Sequence, residues 1–243
     1  MSLCENTAST VIFAHVRAAS PGTAITAWNA HPFRFGRYIF MHNGGLAFFD
    51  QIKRSMCAEI STEAFNEIKG TADSEHLAAL TFTILEKKKG PRAWEESHPV
   101  EELRRALEDA IKQVIVLQIQ VSTPDTFQAS SINVAITDGH QLLAIRFRNH
   151  LKEHPPSLYT SRTAGTLLNR KFEGNPNNSG PNLFQKKFPN LQLKAPSLHK
   201  PHVVVCSEPT TYDERDWKLV PKNTGIMVDE DMRVEEFEVD VQF

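Results

Sequence analysis

The sequence is poor in cysteine. It has three in 243 residues, Cys4, Cys57 and Cys206. They are far apart, odd in number and without a Cys-x-x-Cys spacing, so neither a disulfide framework nor a zinc site is expected. A reducing compartment fits this usage best. No stretch reaches the roughly 18 consecutive apolar residues that a membrane span requires. An excess of one charge is missing too: 27 Lys and Arg face 29 Asp and Glu, a net charge of −2. That argues against nucleic acid or an anionic membrane as the main partner. Residues Met1 to Asn6 have neither the basic start nor the apolar stretch of a signal peptide, so the expected localisation is cytoplasmic. What is present is ordinary for a globular protein, with 40% hydrophobic and 23% charged residues. A chain this long buries a sizeable core without disulfides or metal. With no internal repeat and no clear linker, a single domain over residues 1–243 is expected.

The β-branched and aromatic run Thr10-Val11-Ile12-Phe13 reads as a strand, and so does Arg37 to Met41, with His42-Asn43-Gly44-Gly45 as a tight turn after it. Phe49 to Ile60 and Thr62 to Ile68 read as short helices. Asp73 to Lys88 reads as a helix with Leu77, Leu80, Ile84 and Leu85 on one face; lysines at its end suit the dipole, and Gly90-Pro91 stops it. From Val100 onward apolar residues recur at three- and four-residue steps for about six turns, with Ser97 as a candidate cap. Beyond Ser130 strands dominate: a hairpin of Ile132 to Ile136 and Leu142 to Phe147 around Asp138-Gly139, then Ser157 to Thr160, His202 to Cys206, Gly225 to Val228 and Phe237 to Phe243. Residues 162–200 hold seven Lys or Arg and a single Glu with little periodicity. They read as a basic loop insert, a solvated face or else a docking surface.

Four polar clusters stand out: Phe13-Ala14-His15-Val16-Arg17-Ala18-Ala19-Ser20, Asn29-Ala30-His31-Pro32-Phe33, Met41-His42-Asn43-Gly44-Gly45, and Thr71-Ala72-Asp73-Ser74-Glu75. Each alone has a plain structural reading: a surface arginine, a β-turn, a helix N-cap. Together, in this order and within about 60 residues, they resemble the glutaminase domain of the class-II, N-terminal-nucleophile glutamine amidotransferases. His-x-Arg, Asn-x-His-Pro, His-Asn-Gly and Asp-Ser-Glu follow one another as they do in that family.

The resemblance implies roles that suit the residue types. A γ-glutamyl ligand carries an α-carboxylate, an α-ammonium and a γ-carbonyl. Arg17 would grip the carboxylate with its guanidinium fork, with Ser20 as a helper. Asp73 would receive the ammonium. The side-chain amide of Asn43 and the backbone N–H of Gly44 would form the oxyanion hole. His15, His31 and His42 are expected to give hydrogen-bonded support. No cofactor and no metal are implied. The fold implied is α+β, a four-layer αββα sandwich of the Ntn-hydrolase type.

A closer resemblance, carried also by Ser157-Leu158-Tyr159, Ser207-Glu208-Pro209, Trp217 and Val220-Pro221-Lys222-Asn223, is to the branch that cleaves γ-glutamyl amides. That branch holds the fungal glutathione-degradation amidase subunit and the bacterial ergothioneine-pathway γ-glutamyl hydrolase. It implies hydrolysis of the γ-glutamyl amide bond of glutathione, glutamine or a related compound, and a peptidase-like partner subunit as in the fungal glutathione-degradation complex.

The family reaction uses an N-terminal cysteine whose own α-amine is the base. Here sixteen residues precede Arg17, and no cysteine occupies position one. Ser2 and Cys4 are poor substitutes, and Cys57 and Cys206 read as structural thiols. The expectation is that the nucleophile segment and its N-terminal strands are absent. The alternative function is then a catalytically inactive truncated form or paralogue, serving as a binding or regulatory subunit.

Overall fold

A computed structural model describes residues 9–18, 25–164, 201–211 and 214–242. They fall into two compact units, the larger within Thr10–Pro156 and Pro221–Phe243, the smaller within Ser157–Val220 together with Ser9.

The larger unit is built on a six-stranded antiparallel sheet. Its strands are β1 (Phe33–Phe35), β2 (Tyr38–Gly45), β3 (Ser131–Thr137), β4 (Leu142–Arg148), β8 (Thr224–Val228) and β9 (Val234–Glu238), hydrogen-bonded in the order β1-β2-β3-β4-β8-β9. The Asp138-Gly139 hairpin sets the register of the centre, with Thr137 opposite Leu142 and Ser131 opposite Arg148. Alternation sends Tyr38, Phe40, Val134, Ile136, Ile145 and Phe147 to one face. There they share a core with helices α1 (Phe49–Glu59), α2 (Thr62–Glu67), α3 (Asp73–Lys89) and α4 (Val100–Val121). On the other face Arg146 donates to the carbonyls of Pro155 and Pro156, and Asn133 to that of Pro156. These bonds give donors of two buried side chains loop carbonyls as partners.

Helix α3 is the axis of this unit. Its ends match the sequence reading, with Lys87, Lys88 and Lys89 in the last turn and Gly90 as C-cap at φ +105°. Its faces do not match. Instead of one apolar stripe, every residue from Ser74 to Glu86 is buried. Such a helix needs its polar side chains satisfied in place. Thr81 and Thr83 donate to the carbonyls of Leu77 and Ala79, while Glu86 accepts from Ser61 Oγ and the Arg92 N–H.

Three local readings need correction. The His42-Asn43-Gly44-Gly45 stretch is no turn: β2 runs through it, pairing Gly44 with Ile132 and Gly45 with Ser131. Residues 11–18 join neither sheet, although their cover alternates as in an extended chain: Val11, Phe13, His15 and Arg17 are half-covered, and Ile12, Ala14, Val16 and Ala18 are exposed. Ser97 does not cap α4, because its hydroxyl donates to Asp138. Pro99 holds the cap position, and Gln141 Oε1 receives the Val100 N–H.

The smaller unit is a three-stranded antiparallel sheet in the order β6-β5-β7, from β5 (Tyr159–Ser161), β6 (Val204–Cys206) and β7 (Lys218–Leu219). Of the basic stretch 162–200, residues 165–200 lie outside the described residues.

The architecture is thus mixed α+β with antiparallel sheets. No described helix is long and apolar enough to cross a membrane.

Candidate active site

The site forms where β2 ends and α3 begins. His42 sits on the core-facing side of β2 and is buried. Its Nε2 lies 3.1 Å from the carbonyl oxygen of Ser131, which can only accept, so Nε2 carries the proton. Nδ1 is therefore the acceptor for the Ser74 hydroxyl, 2.8 Å away. This arrangement is a neutral imidazole. Burial pushes its pKa below the ordinary 6.5, opposed by the charge of Asp73 and by the bond to Ser131. One side chain thereby fastens the end of β2 to β3 and to the first turn of α3.

Gly44 follows with φ +145°, and a Cβ there would stand 1.9 Å from the Ser131 carbonyl oxygen. Glycine is required because the neighbouring backbone occupies the space of a side chain. Asn43, one residue earlier, is exposed.

Asp73 heads α3. Its Oδ2 accepts the N–H of Leu46 and its Oδ1 the N–H of Ser74, both at 2.8 Å. A Cβ on Gly45 would lie 3.8 Å from Oδ2. Asp73 is thus brought to the Gly45 end of β2, the strand that also carries Asn43 and Gly44.

The next acid serves the loop ahead of α3. The buried Glu75 carboxylate accepts the N–H groups of Lys69 and Gly70, each at 2.8 Å. Asn29, also buried, accepts the Thr71 N–H at 2.7 Å and donates to the Thr71 hydroxyl. Sequence reasoning assigned no work to Asn29, Ser74, Glu75 or Ser131. The signal for the first three was their place inside the motifs themselves; Ser131 acts through its carbonyl, which no side-chain pattern reveals.

Arg17 lies in the 11–18 segment. Two residues before it, His15 stacks on His31 with ring centroids 4.2 Å apart, and His31 meets the Phe33 ring edge-on at 4.7 Å. Arg17 and Asp73 both act electrostatically on His31, in opposite senses. His31 departs from the expected hydrogen-bonded support: both its ring nitrogens are buried without a hydrogen-bond partner among the described residues. Ser20 lies outside the described residues.

The surroundings of Cys206 do not activate its thiol. Burial raises the pKa of Cys206, with Glu208 adding to the effect, and its Sγ donates to the Glu208 carbonyl. Cys57 sits half-buried on α1. No cluster of three or more His, Cys, Asp or Glu suited to a metal occurs among the described residues. A concavity of about 530 Å³ between α4 and β8–β9 is lined by none of Arg17, Asn43, Gly44 or Asp73. Its acid Glu101 is already paired with Arg104, so the motif-built site is the stronger candidate.

No family model matches the chain. Among curated proteins it is 28% identical over 229 residues, 93% of its length, to the probable glutamine amidotransferase DUG3 of Saccharomyces cerevisiae. It spans 59% of that relative's length. Among solved structures it matches a glutamine aminotransferase class-II domain protein from Silicibacter pomeroyi with TM-score 0.61 and 21% identity, over 90% of this chain and 74% of that one. A second match, at TM-score 0.51 and 14% identity, is the allosteric regulatory enzyme of purine biosynthesis, over 94% of this chain and 35% of that one. These two show a shared fold. By sequence along nearly its whole length, and by fold, this chain resembles the class-II glutamine amidotransferases.

Proposed function

We propose that this chain supplies the ligand-binding and oxyanion half of a γ-glutamyl amide hydrolase acting on glutamine, glutathione or a related γ-glutamyl compound. Arg17, helped by Ser20, takes the α-carboxylate and Asp73 the α-ammonium. The Asn43 amide and the Gly44 N–H receive the negative charge that develops on the γ-carbonyl oxygen. The observation that carries this reading is the fixing of the Asp73 carboxylate beside the Gly44-Gly45 end of β2 through the Leu46 N–H. It sets an anion at a short, defined remove from the candidate oxyanion donors.

Turnover by this chemistry needs an N-terminal cysteine as well. Its thiol loses a proton to its own α-amine and attacks the γ-carbonyl; the amine leaves with a proton, and water releases glutamate from the thioester. The further reading as a four-layer αββα Ntn-type domain, completed by additional N-terminal strands, is supported by the 11–18 segment, whose burial alternates without a ladder. That this is one amidotransferase domain is supported by a sequence match running across both compact units. A peptidase-like partner subunit and a reducing, cytoplasmic setting belong to the same proposal. The alternative is a non-catalytic binding or regulatory subunit that keeps the ligand pocket.

Calorimetry with glutamine and with glutathione tests the site. Charge-assisted hydrogen bonds contribute about 1.5–3 kcal/mol each, so Arg17→Ala or Asp73→Ala should weaken binding about 10–100-fold. Unchanged affinity in both variants would overturn the assignment. Glutamate release, assayed in parallel, separates the hydrolase from the binding subunit.

A further inference from the structure

We infer that the stacked rings of His15 and His31 form a pH-sensitive latch that positions Arg17 at the ligand site, and that protonation opens it. Arg17 is a binding residue only on the reading above, so the inference rests on that reading. Because residues 11–18 join neither sheet, no ladder fixes the guanidinium, and side chains must do so. Among the contacts that tie the segment, Thr10 Oγ1 donates to the Gly139 carbonyl at 2.9 Å, and His15 stacks on His31 at 4.2 Å. The second tie stands two residues from Arg17.

His31 is a firm anchor for that stack. Asn29, two residues before it, is 1% exposed and bonded to Thr71, two residues before Asp73. Position is therefore relayed from Arg17 through His15, His31, Asn29 and Thr71 to Asp73. The latch sets the spacing of the two groups proposed to hold the ends of an amino acid.

The same geometry makes the latch sensitive to protons. Both His31 nitrogens are buried without a hydrogen-bond partner among the described residues, so an added N–H would have no acceptor. The charged and titratable groups facing the pair are Arg17 on its own segment, His42 on β2 and Asp73 on α3. Only Asp73 favours protonation. Burial first, then His15, His42 and Arg17, hold the His31 pKa down at about 3, while burial, His42 and Arg17 lower that of His15. A released ring recovers a pKa of about 6.5. Docking is therefore complete above about 6.5 and lost as pH falls below it, about tenfold per pH unit for each released ring.

Two variants separate latch from bulk. His31→Phe keeps a ring in the stack, sacrifices no hydrogen bond, and turns a protonated His15 into a cation over an aromatic face, which is attractive. His31→Ala removes the stack. Trypsin cleavage after Arg17 at pH 7.5 should be at least about tenfold faster in His31→Ala, while His31→Phe should match the parent. The backbone amide resonance of Arg17, followed by NMR from pH 7.5 to 5.5, should move further in the parent than in His31→Phe, where only the titration of His15 itself shifts it. Equal cleavage of all three proteins, or the same pH-dependent movement in His31→Phe, overturns the latch. If His31→Ala does not fold, the resonance comparison decides alone. Both readouts need no ligand. Intact latch behaviour without glutamine binding at any pH would defeat the proposed function alone; glutamine binding with either overturning result would defeat the latch alone.

Discussion

Replacing Gly44 by alanine perturbs the site at its tightest point. At φ +145° a side chain is strained whatever the space around it, and such backbone conformations cost about 1–3 kcal/mol. The new methyl group would also meet the Ser131 carbonyl oxygen at 1.9 Å and His42 Nε2 at 3.0 Å. Because the carbonyl belongs to β3 and accepts from His42, it cannot retreat without breaking that bond; forced overpacking of this kind adds about 1–3 kcal/mol. The two contributions give a loss of about 2–6 kcal/mol. Gly45 is the natural control. A methyl group there finds Asp73 Oδ2 at 3.8 Å, an ordinary contact, so Gly45→Ala should change stability by less than about 1 kcal/mol. Urea unfolding of the parent and both variants, followed by far-ultraviolet circular dichroism, measures the difference. With a slope of about 2–3 kcal/mol per molar, Gly44→Ala should lower the midpoint by about 0.7–3 M. Midpoints for the two variants within about 0.3 M of each other would refute the argument from close backbone approach.

Two further outcomes are expected. Ser74→Ala leaves buried His42 Nδ1 without its donor, so stability should fall by about 1–3 kcal/mol, read as a lower thermal midpoint, with Ser74→Thr retaining the hydroxyl as a comparison. Stability should also decline as pH falls. His15, His31, His42 and His76 all have pKa values lowered chiefly by burial; their contribution is fully present above about 6.5 and lost as protons bind the unfolded chain first. Below that pH each can contribute up to about 1.4 kcal/mol per pH unit, so urea midpoints should drop from pH 7.5 to 5.5, and a flat profile would contradict the burial argument.

How legible all this was in the sequence depended on what each signal measures. Punctuation was dependable: the lysines and Gly90 closed α3 where expected, and Asp138-Gly139 fixed the central hairpin. Glycine was read too narrowly. A glycine pair after a strand suggests a turn, yet Gly44 is there so that Ser131 can approach, which depends on a strand 87 residues away. The β-branched run at 10–13 expresses a preference for extended backbone, and preference cannot supply a neighbour to pair with. Ser97 had the chemistry of a cap, but its hydroxyl was already engaged by Asp138. For the site, the motif order indicated which residues gather. It could not indicate that Asn29 and Glu75 hold the loop between them, because those bonds go to backbone N–H groups that carry no signature of their own.

The burial of α3 from Ser74 to Glu86 has a consequence for how this protein can change. Asp73 is the first rung of a rod that is covered on every side as far as Glu86. At about 1.5 Å per residue, Phe82 lies about 14 Å along it, stacked on Phe35 and tilted against Tyr38. A rod gripped this way has nowhere to absorb a volume change except along its axis or by tilting, and either motion carries Asp73 away from Leu46. Drift in the hydrocarbon core is therefore translated into drift in a carboxylate's address. Lineages that alter Phe82 or Leu80 should be found to have altered the β2–α3 junction as well.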